Sequence, residues 1–329
     1  MIADAVAIGR AVASSLTVGA TNGRSGRALI VTAEAQVELT REAAPGVEIL
    51  AEPAARGTAA AIGLAGALIA ERDPDAVIAI LPADHHVRDR EGFVDAIDAC
   101  LAEVERTGAI ALVGIPPTRA ETGYGYMELA AGPSDGVREV LRFVEKPDLA
   151  HAEHFVATGR YLWNAGIFCL TARRLLAELT AHLPQVAHAV RQIARDPGVL
   201  SSGVRDTTAR DLYADLPSVS FDHGVMEKTS HVVATPAAVG WSDVGSWAAI
   251  PEVCDRDDRG NAVVGNAVVI DGSGNVVSTD DDVLVATIGV SDLVVVKSGD
   301  AILVVQKDQA QRVREVVEAL GARGLGRYL

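Results

Sequence analysis

Cysteine is scarce in this sequence, with only three residues in 329. The three thiols show no Cys-x-x-Cys spacing and are too few for a disulfide scaffold. We therefore expect a reducing, cytoplasmic location. Because Cys100 lies in a helix-like segment and Cys169 in an apolar run, we expect both to be buried structural thiols.

Positive charge and long hydrophobic runs are also scarce. The chain has 29 Lys and Arg against 44 Asp and Glu, a formal net charge of −15. A surface this acidic repels nucleic acid and anionic lipid, so we predict neither as a partner, although small phosphate-bearing molecules stay compatible with it. The longest uncharged apolar stretch, Gly57–Ala70, is shorter than the about 20 residues that cross a bilayer. Asp4 and the lack of a basic leader argue against a signal peptide.

The first part of the chain alternates apolar, β-branched runs with helical patterns. We interpret Ala28–Thr32, Val77–Leu81 and Ile110–Gly114 as buried strands, with helices at Thr58–Glu71 and Phe93–Arg106 between them. This order predicts an α/β fold with a Rossmann-like, mostly parallel sheet covered on both faces. Ligands then bind beyond the carboxyl ends of the strands.

The pattern changes twice further along. From Tyr124 it becomes mixed, and after Asp258 short apolar strands alternate with Gly, Asn, Asp and Ser turns. We predict a first domain at 1–258 and a small β module, as stacked coils or a curled sheet, at 259–329. The final helix, Asp308–Leu320, is expected to start at an Asp308 N-cap and to pack back on this module.

Aromatic residues make up only 4% of the chain, yet two of its three tryptophans lie in one run, Gly240–Trp247. Asp243 in this run could cap the next helix or bind a cation. Asp84 directly follows the strand at Val77–Leu81, where a carboxylate points into the cleft above the sheet. Its functional interpretation is a ligand for Mg²⁺, and its alternative is an N-cap or a partner for His85 or Arg88.

Three further motifs carry polar groups at strand ends or among apolar residues. Glu145 and Lys146, before Pro147, could bind a polyol and its phosphate, or form a surface ion pair. The glycine-rich segment around Gly125 could donate backbone N–H groups to a ligand, or form a hairpin. Asn164 lies among large apolar residues, so its amide must bond either to a sugar or to local backbone groups.

Together these segments resemble the sugar-1-phosphate nucleotidyltransferases, and within them the bacterial mannose-1-phosphate guanylyltransferases. The resemblance covers about residues 27 to 329, and seven motifs occur in the family's order. They are Glu52-Pro53 with Arg56–Ala59, Leu81–His85, Pro117-Thr118 with Glu121–Tyr126, Phe143–Pro147, Tyr161–Gly166, Val225–Thr229 and Gly240–Trp247.

The resemblance implies a nucleotide-diphospho-sugar transferase fold with a β-helix-like C-terminal module. It implies that mannose 1-phosphate and GTP give GDP-mannose and pyrophosphate, with Mg²⁺ as cofactor and a homodimer as the assembly. The roles that it implies are Asp84 and Asp243 as catalytic metal ligands, Lys146 at the sugar phosphate, Glu145, Asn164, Tyr124 and Gly125 at the sugar, and Arg56 and Thr58 facing the guanine.

The sequence also departs from the family's pattern. An Asn and a Pro are missing after Arg56, and Asp222-His223 stands where the family has Asp-Tyr. The family's opening strand and its loop Gly-Gly-x-Gly-Thr-Arg-Leu are not found; Gly19–Gly26 is a poor substitute, and a flexible linker is the alternative there. A start upstream of Met1, an inactive relative that binds GDP-sugar, and an enzyme with another sugar or base specificity stay open as alternatives.

Overall fold

The computed structural model describes residues 5–12, 26–133, 136–196, 198–280 and 282–328. It contains two compact units, Met1–Trp241 and Ser242–Leu329. The division falls before the predicted boundary at 258 because Trp247, Ala248 and Ile250 pack against the β strands of the second unit. Most of the segment that could serve as a phosphate loop, Gly19–Gly26, lies outside the described residues.

The first unit contains a two-stranded parallel sheet and a six-stranded sheet. The strands of this unit are β1 (Leu29–Ala33), β2 (Glu48–Glu52), β3 (Val77–Ile80), β4 (His86–Val87), β5 (Ile110–Ile115), β6 (Gly125–Leu129), β7 (Arg138–Glu145), β8 (Tyr161–Thr171) and β9 (Val232–Pro236). The two-stranded sheet is β1–β2, and the six-stranded sheet has the order β3-β8-β5-β9-β7-β6. Within the described residues, no hydrogen-bonded ladder joins β1 to β3.

Four strands of the larger sheet, β3, β5, β6 and β9, run in one direction, and β7 and β8 run in the other. The first residues of the long strand β8 form a hydrogen-bonded ladder with β6, and its last residues form one with β3. Between those two pairings lies Gly166, with φ at +67°. Strand β8 changes its pairing partner at this point. The loop that follows β3 approaches Gly166 closely, and a Cβ placed on Gly166 would have Pro82 as its nearest neighbour, at 3.5 Å.

Helices cover both faces of the larger sheet, as the sequence predicts. The helices of the first unit are α1 (residues 5–12), α2 (Val37–Ala43), α3 (Thr58–Arg72), α4 (Arg90–Thr107), α5 (Leu149–Thr158), α6 (Ala172–His182), α7 (Pro184–Ala194), α8 (Val199–Ser202) and α9 (Thr207–Ala214). Along β5, Ile110 and Leu112 join one hydrophobic cluster, while Ala111, Val113 and Ile115 join the other. Alternate residues of a strand face opposite sides of a sheet, so β5 is the shared wall of two cores.

Local signals explain where the longest helix begins and ends. The side chain of Asp89 accepts a hydrogen bond from the N–H of Gly92 and caps α4. Gly108 ends the helix in the left-handed conformation, as a residue after a helix often does. None of the described helices is both long enough and apolar enough to cross a membrane.

The second unit consists of stacked coils rather than a curled sheet. Its elements are α10 (Ile250–Val253), β11 (Ala262–Val264), β12 (Ala267–Ile270), β13 (Val276–Thr279), β14 (Val285–Ile288), β15 (Leu293–Ser298), β16 (Ala301–Gln306) and α11 (Val313–Ala322), with the junction strand β10 (Trp241–Ser242) at its start. Strands β11, β13 and β15 pair in parallel, as do β12 and β14. The buried amides of Asn261 and Asn275 bond each other between successive coils, at 3.1 Å from Nδ2 of Asn275 to Oδ1 of Asn261.

Two expectations for the end of the chain are wrong. Asp308 lies inside a 3₁₀ turn, Lys307–Arg312, and α11 begins only after it, so Asp308 does not cap the helix. The helix also does not bury its apolar face. Val316 is 46% and Val317 49% exposed, and no residue of α11 is buried.

Candidate active site

A buried carboxyl group lies at the end of β7. The side chain of Glu145 is only 10% exposed, so Glu145 and Lys146 do not form an ordinary surface ion pair. Within the described residues, Oε2 of Glu145 is buried without a hydrogen-bond partner. A buried polar atom of this kind costs free energy unless a ligand or water satisfies it.

Gly125 allows this carboxyl group to approach the chain. A Cβ at this position would lie 2.5 Å from Oε2 of Glu145 and 3.2 Å from Cβ of Asn164. The two strands place the residues opposite each other, because Gly125 pairs with Glu145 in the β6–β7 ladder. Glycine is therefore required here by close approach.

Burial raises the pKa of Glu145 to about 7, and the negative charge of Asp222 contributes to the increase. The ammonium group of Lys146 opposes it, at 3.8 Å from Nζ to Oε1 of Glu145. Burial also raises the pKa of Asp222 above its ordinary value, while the hydrogen bond from Asn164 works against this increase. The site thus holds two carboxyl groups that ionise less readily than exposed ones.

Asn164 reaches Asp222, a residue that sequence reasoning did not assign to the site. Its Nδ2 donates to Oδ1 of Asp222 at 2.7 Å, and its Oδ1 accepts from the N–H of Gly166 at 3.0 Å. Asp222 starts a π-helical turn, Asp222–Met226, and turns of this kind occur often at functional sites. The available signal was Asp222-His223, which stands where the family that the sequence resembles has Asp-Tyr. We call Gly125, Glu145, Lys146, Asn164 and Asp222 the sugar cluster, after the role that the sequence resemblance implies for Gly125, Glu145 and Asn164.

Lys146 carries the positive charge of the sugar cluster. Its side chain is 60% exposed, and its backbone has a left-handed φ of 49° directly before Pro147. Its N–H donates to the carbonyl of Tyr124 at 3.2 Å. A positive φ is uncommon for a residue other than glycine, so this is a strained conformation of the type found at binding sites.

The segment from Arg56 to Thr58 is tied to the same turn. Oγ1 of Thr58 accepts a hydrogen bond from the N–H of Phe221 at 2.9 Å, next to Asp222. Nε of Arg56 is buried and has no hydrogen-bond partner among the described residues. The fold therefore brings the predicted base-facing segment and the sugar cluster to adjacent residues of one turn.

An aromatic cluster connects Asp84 to this region. The ring of Tyr124 packs edge-on against Trp163 at 5.2 Å and against Trp241 at 5.3 Å between centroids. Nε1 of Trp241 donates to Nδ1 of His85 at 3.1 Å. Asp84, one residue earlier, is 78% exposed, with Oδ1 at 3.9 Å from Nε2 of His85. Its oxygens are available to solvent.

Asp243 belongs to the second unit. Its Oδ1 accepts a hydrogen bond from the N–H of Gly245 at 3.1 Å, and the next helical turn has Ser246 at its N-cap. Asp243 thus stabilises a tight local turn, which agrees with part of the structural alternative drawn from the sequence, although Ser246 rather than Asp243 occupies the N-cap position of the next helical turn. A Cβ on Gly245 would lie 2.7 Å from Oδ2 of Asp243, so the turn needs glycine.

In the part of the chain that the structure describes, no group of three or more His, Cys, Asp or Glu side chains is placed to hold a metal ion. Asp84 and Asp243 are single carboxylates, and each would supply hard oxygen ligands of the type that Mg²⁺ binds. Mg²⁺ typically takes one or two protein carboxylates and completes its shell with substrate phosphates and water. The donor chemistry of these two residues therefore fits the ion.

The chain matches two protein families. Residues 22–259 match the nucleotidyl transferase family. Residues 265–320 match the MannoseP isomerase/GMP-like beta-helix domain, in agreement with the stacked coils of the second unit. Nucleotidyl transferases of this type generally use a divalent metal.

Two curated relatives are longer than this chain. It is 39% identical over 280 residues to the xanthan biosynthesis protein XanB of Xanthomonas campestris pv. campestris (strain B100), covering 84% of this chain and 58% of that protein. It is 37% identical over 275 residues to the mannose-1-phosphate guanylyltransferase of Klebsiella pneumoniae, covering 83% of this chain and 58% of that protein. The chain spans less than two thirds of the length of either relative.

A solved structure matches almost the whole chain. It is described as a mannose-1-phosphate geranyltransferase from Thermus thermophilus, and it superposes with a TM-score of 0.80 at 35% identity. The match covers 95% of this chain and 89% of that one. It confirms the predicted α/β fold with its C-terminal β module.

Proposed function

Because the chain belongs to the nucleotidyl transferase family, we propose that it is a mannose-1-phosphate guanylyltransferase, which converts mannose 1-phosphate and GTP into GDP-mannose and pyrophosphate. The observation that carries the proposal is the sugar cluster. It brings together a buried carboxyl group with an unsatisfied oxygen, an amide fixed by hydrogen bonds and an exposed ammonium group. A sugar phosphate offers the matching hydroxyl and phosphate groups.

Each residue of the sugar cluster has a chemical role in this proposal. Glu145 accepts hydrogen bonds from sugar hydroxyl groups, and Asn164 fixes the ring through its amide. Lys146 neutralises the sugar phosphate, whose oxygen attacks the α-phosphorus of GTP while the bond to pyrophosphate breaks. Tyr124 shapes the pocket through its ring contacts, and Arg56 and Thr58 contact the base. Positioning and charge neutralisation account for the rate, since the protein forms no covalent bond.

We also propose that Asp84 and Asp243 hold the divalent metal, Mg²⁺. The proposal rests on the two sequence motifs and on the donor chemistry of the carboxylates. Bound Mg²⁺ supplies charge neutralisation for the reacting phosphates. Removing the metal with EDTA should abolish turnover, and adding excess Mg²⁺ should restore it.

The test is pyrophosphate release from GTP and mannose 1-phosphate with Mg²⁺. Asp84→Asn and Asp243→Asn should each lower kcat/KM by at least about 100-fold, as expected for loss of a group that supports the transition state. The exposed residues Asp95 and Asp300 offer matched controls, since Asp95→Asn and Asp300→Asn remove the same charge from the first and the second unit respectively. Equal losses in the variants and their controls would contradict the assignment.

The same assay separates the alternatives. ATP, UTP and other sugar phosphates replace the substrates one at a time, and equal turnover with every nucleotide would refute the guanine preference. A homologue that binds GDP-sugar without catalysis would show binding of GDP-mannose by calorimetry and no pyrophosphate release. The family's Asn and Pro are absent from the base-facing motif after Arg56, so the nucleotide preference is the less certain property. The nucleotide panel is therefore the more informative of the two experiments.

We further propose that the enzyme is a homodimer in the cytoplasm. The exposed aliphatic side chains of β16, with Ile302 at 70% and Val304 at 61%, support an interface on the second unit. The unpaired cysteines support a reducing compartment. Light scattering should give twice the chain mass of 34.2 kDa, and a monomer would refute the dimer.

A further inference from the structure

Asp222 lies at the centre of the sugar cluster and has no role in the proposed chemistry so far. It is partly buried at the start of the π-helical turn, and its neighbours Phe221 and Gly224–Met226 are buried. The turn packs beside β7, the strand that carries Glu145. Burying a carboxyl group costs free energy, so its place here calls for a function.

The first contact of Asp222 fixes the amide of Asn164. The N–H of Gly166 donates to the amide oxygen, so the nitrogen must point the other way, toward Oδ1 of Asp222 at 2.7 Å. One N–H of Asn164 is used in this bond, and the second remains to donate to a ligand. Without an acceptor at residue 222, the amide could rotate about its last torsion.

The second effect of Asp222 is electrostatic. The charged groups that act on Glu145 are Asp222, Lys146 and Glu227, and Asp222 contributes more than Glu227. Asp222 itself is influenced by His223 and Lys146. After burial, the charge of Asp222 is the largest influence that keeps Glu145 from ionising.

We propose that Asp222 is a positioning residue for the sugar phosphate: its carboxylate fixes the amide of Asn164, and its charge controls how Glu145 accepts the sugar hydroxyl groups. The inference rests on the proposed function for its substrate. It assigns two separable tasks to one side chain, one that needs an acceptor oxygen and one that needs a negative charge.

The two tasks predict opposite results for two substitutions. Asp222→Asn keeps an acceptor for Asn164 but removes the charge, so Glu145 ionises at lower pH. Asp222→Ala removes both. Glu227→Gln is the matched control, because it removes a charge that also acts on Glu145, while the described hydrogen bonds of Asn164 go to Asp222 and Gly166.

The kinetic test measures KM for mannose 1-phosphate at pH 6 and at pH 8. At each pH the KM of the variant is divided by that of the wild type, because this ratio cancels the effect of the titration of the substrate phosphate. In the wild type about a tenth of Glu145 is ionised one pH unit below its midpoint. We expect Asp222→Asn to lower KM severalfold at pH 6 and to match the wild type at pH 8. Asp222→Ala should raise KM at least about tenfold at both pH values, with a smaller change in kcat.

A second measurement needs no turnover. The side-chain carboxyl resonances of ¹³C-labelled glutamate are titrated in the full chain, with Glu145→Gln used to identify the Glu145 signal. Its midpoint should fall toward the ordinary glutamate value of about 4.3 in Asp222→Asn, and by less in Glu227→Gln.

The outcomes separate this inference from the proposed function. Absence of pyrophosphate release in the wild type would refute the function but leave the carboxyl titration able to decide the charge effect. An unchanged Glu145 midpoint in Asp222→Asn would overturn the inference, as would an unchanged KM in a folded Asp222→Ala. If Asp222→Ala does not fold, the Asp222→Asn titration decides alone.

Discussion

At the scale of single residues, the site depends on how closely two strands approach. Gly125 and Glu145 lie opposite each other, and the missing side chain of the glycine leaves the space that the carboxyl group occupies. Glu145 in turn has an oxygen without a partner among the described residues. Close approach and an unsatisfied acceptor together define a binding position for a hydroxyl group.

We predict that Gly125→Ala raises KM for mannose 1-phosphate at least about tenfold, a loss of about 1.4 kcal/mol in binding, because its Cβ would displace Glu145. Steady-state kinetics measure the change. Gly321→Ala is the control, since a Cβ there has nothing within 4 Å. A normal KM in Gly125→Ala would show that Glu145 does not bind the sugar.

At the scale of elements, the turn before α3 holds the predicted base-facing residues. Gly57 precedes the helix with φ at 76° and ψ at 170°, a conformation that is essentially restricted to glycine. A Cβ there would lie 2.5 Å from the carbonyl oxygen of Val219. The N–H of Ala59 donates a hydrogen bond to the same oxygen at 3.2 Å, so this bond holds the start of α3 against the segment around Val219.

We predict that Gly57→Ala lowers the free energy of unfolding by about 2 to 3 kcal/mol, since it adds a clash to an unfavourable backbone conformation. Gly46→Ala is the control. Gly46 has the same φ of 76°, but a Cβ there has nothing within 4 Å, so about 1 kcal/mol is expected. Urea unfolding monitored by circular dichroism measures both, and equal losses would rule out the contact with Val219.

An ion pair in the second unit makes its stability sensitive to acid. The hydrogen bond from the backbone N–H of Gly299 and the hydrogen bond from the ammonium group of Lys297 lower the pKa of Asp280 to about 2. The ammonium group of Lys297 is buried, and Asp280 is half-exposed. Because the pKa is lower in the folded state than the about 3.9 of the unfolded chain, this stabilisation is present above about pH 4 and is lost as the pH falls toward 2.

We predict that the wild type loses more thermal stability than Asp280→Asn between pH 5 and pH 2.5. Circular dichroism melts at several pH values measure the difference in slope. Asp300→Asn, which removes an exposed carboxylate of the same unit, should behave as the wild type. Equal slopes for the wild type and Asp280→Asn would mean that the ion pair does not contribute.

At the scale of the whole molecule, a ligand that binds the folded state specifically stabilises that state against unfolding. A ligand at 100 times its Kd stabilises the folded state by about 2.7 kcal/mol. We predict that GDP-mannose with Mg²⁺ raises Tm by several degrees and that UDP-glucose at the same concentration raises it less. Differential scanning fluorimetry measures both, and equal shifts would contradict the predicted base and sugar preference.

Much of the architecture was predictable from local patterns. The apolar runs at β3 and β5 and the helical periods of α3 and α4 were located to within a few residues, because burial imposes a period on each element. The end of the chain was predicted less well. The helical spacing of Val313, Val316, Val317 and Leu320 indicated a packed face, but periodicity does not show whether a partner surface exists.

The sequence by itself determined the α/β class, the β module, the position of Glu145 and Lys146 at a strand end and that of Asn164 among apolar residues, because motif order and hydrophobic period are local properties. Only the tertiary structure decided that Glu145 is buried, that Gly125 makes room for it and that Asp222 holds Asn164. Asn164 and Asp222 are far apart in the chain. Their contact arises from the packing of β8 against a distant turn, and no local pattern encodes such a contact.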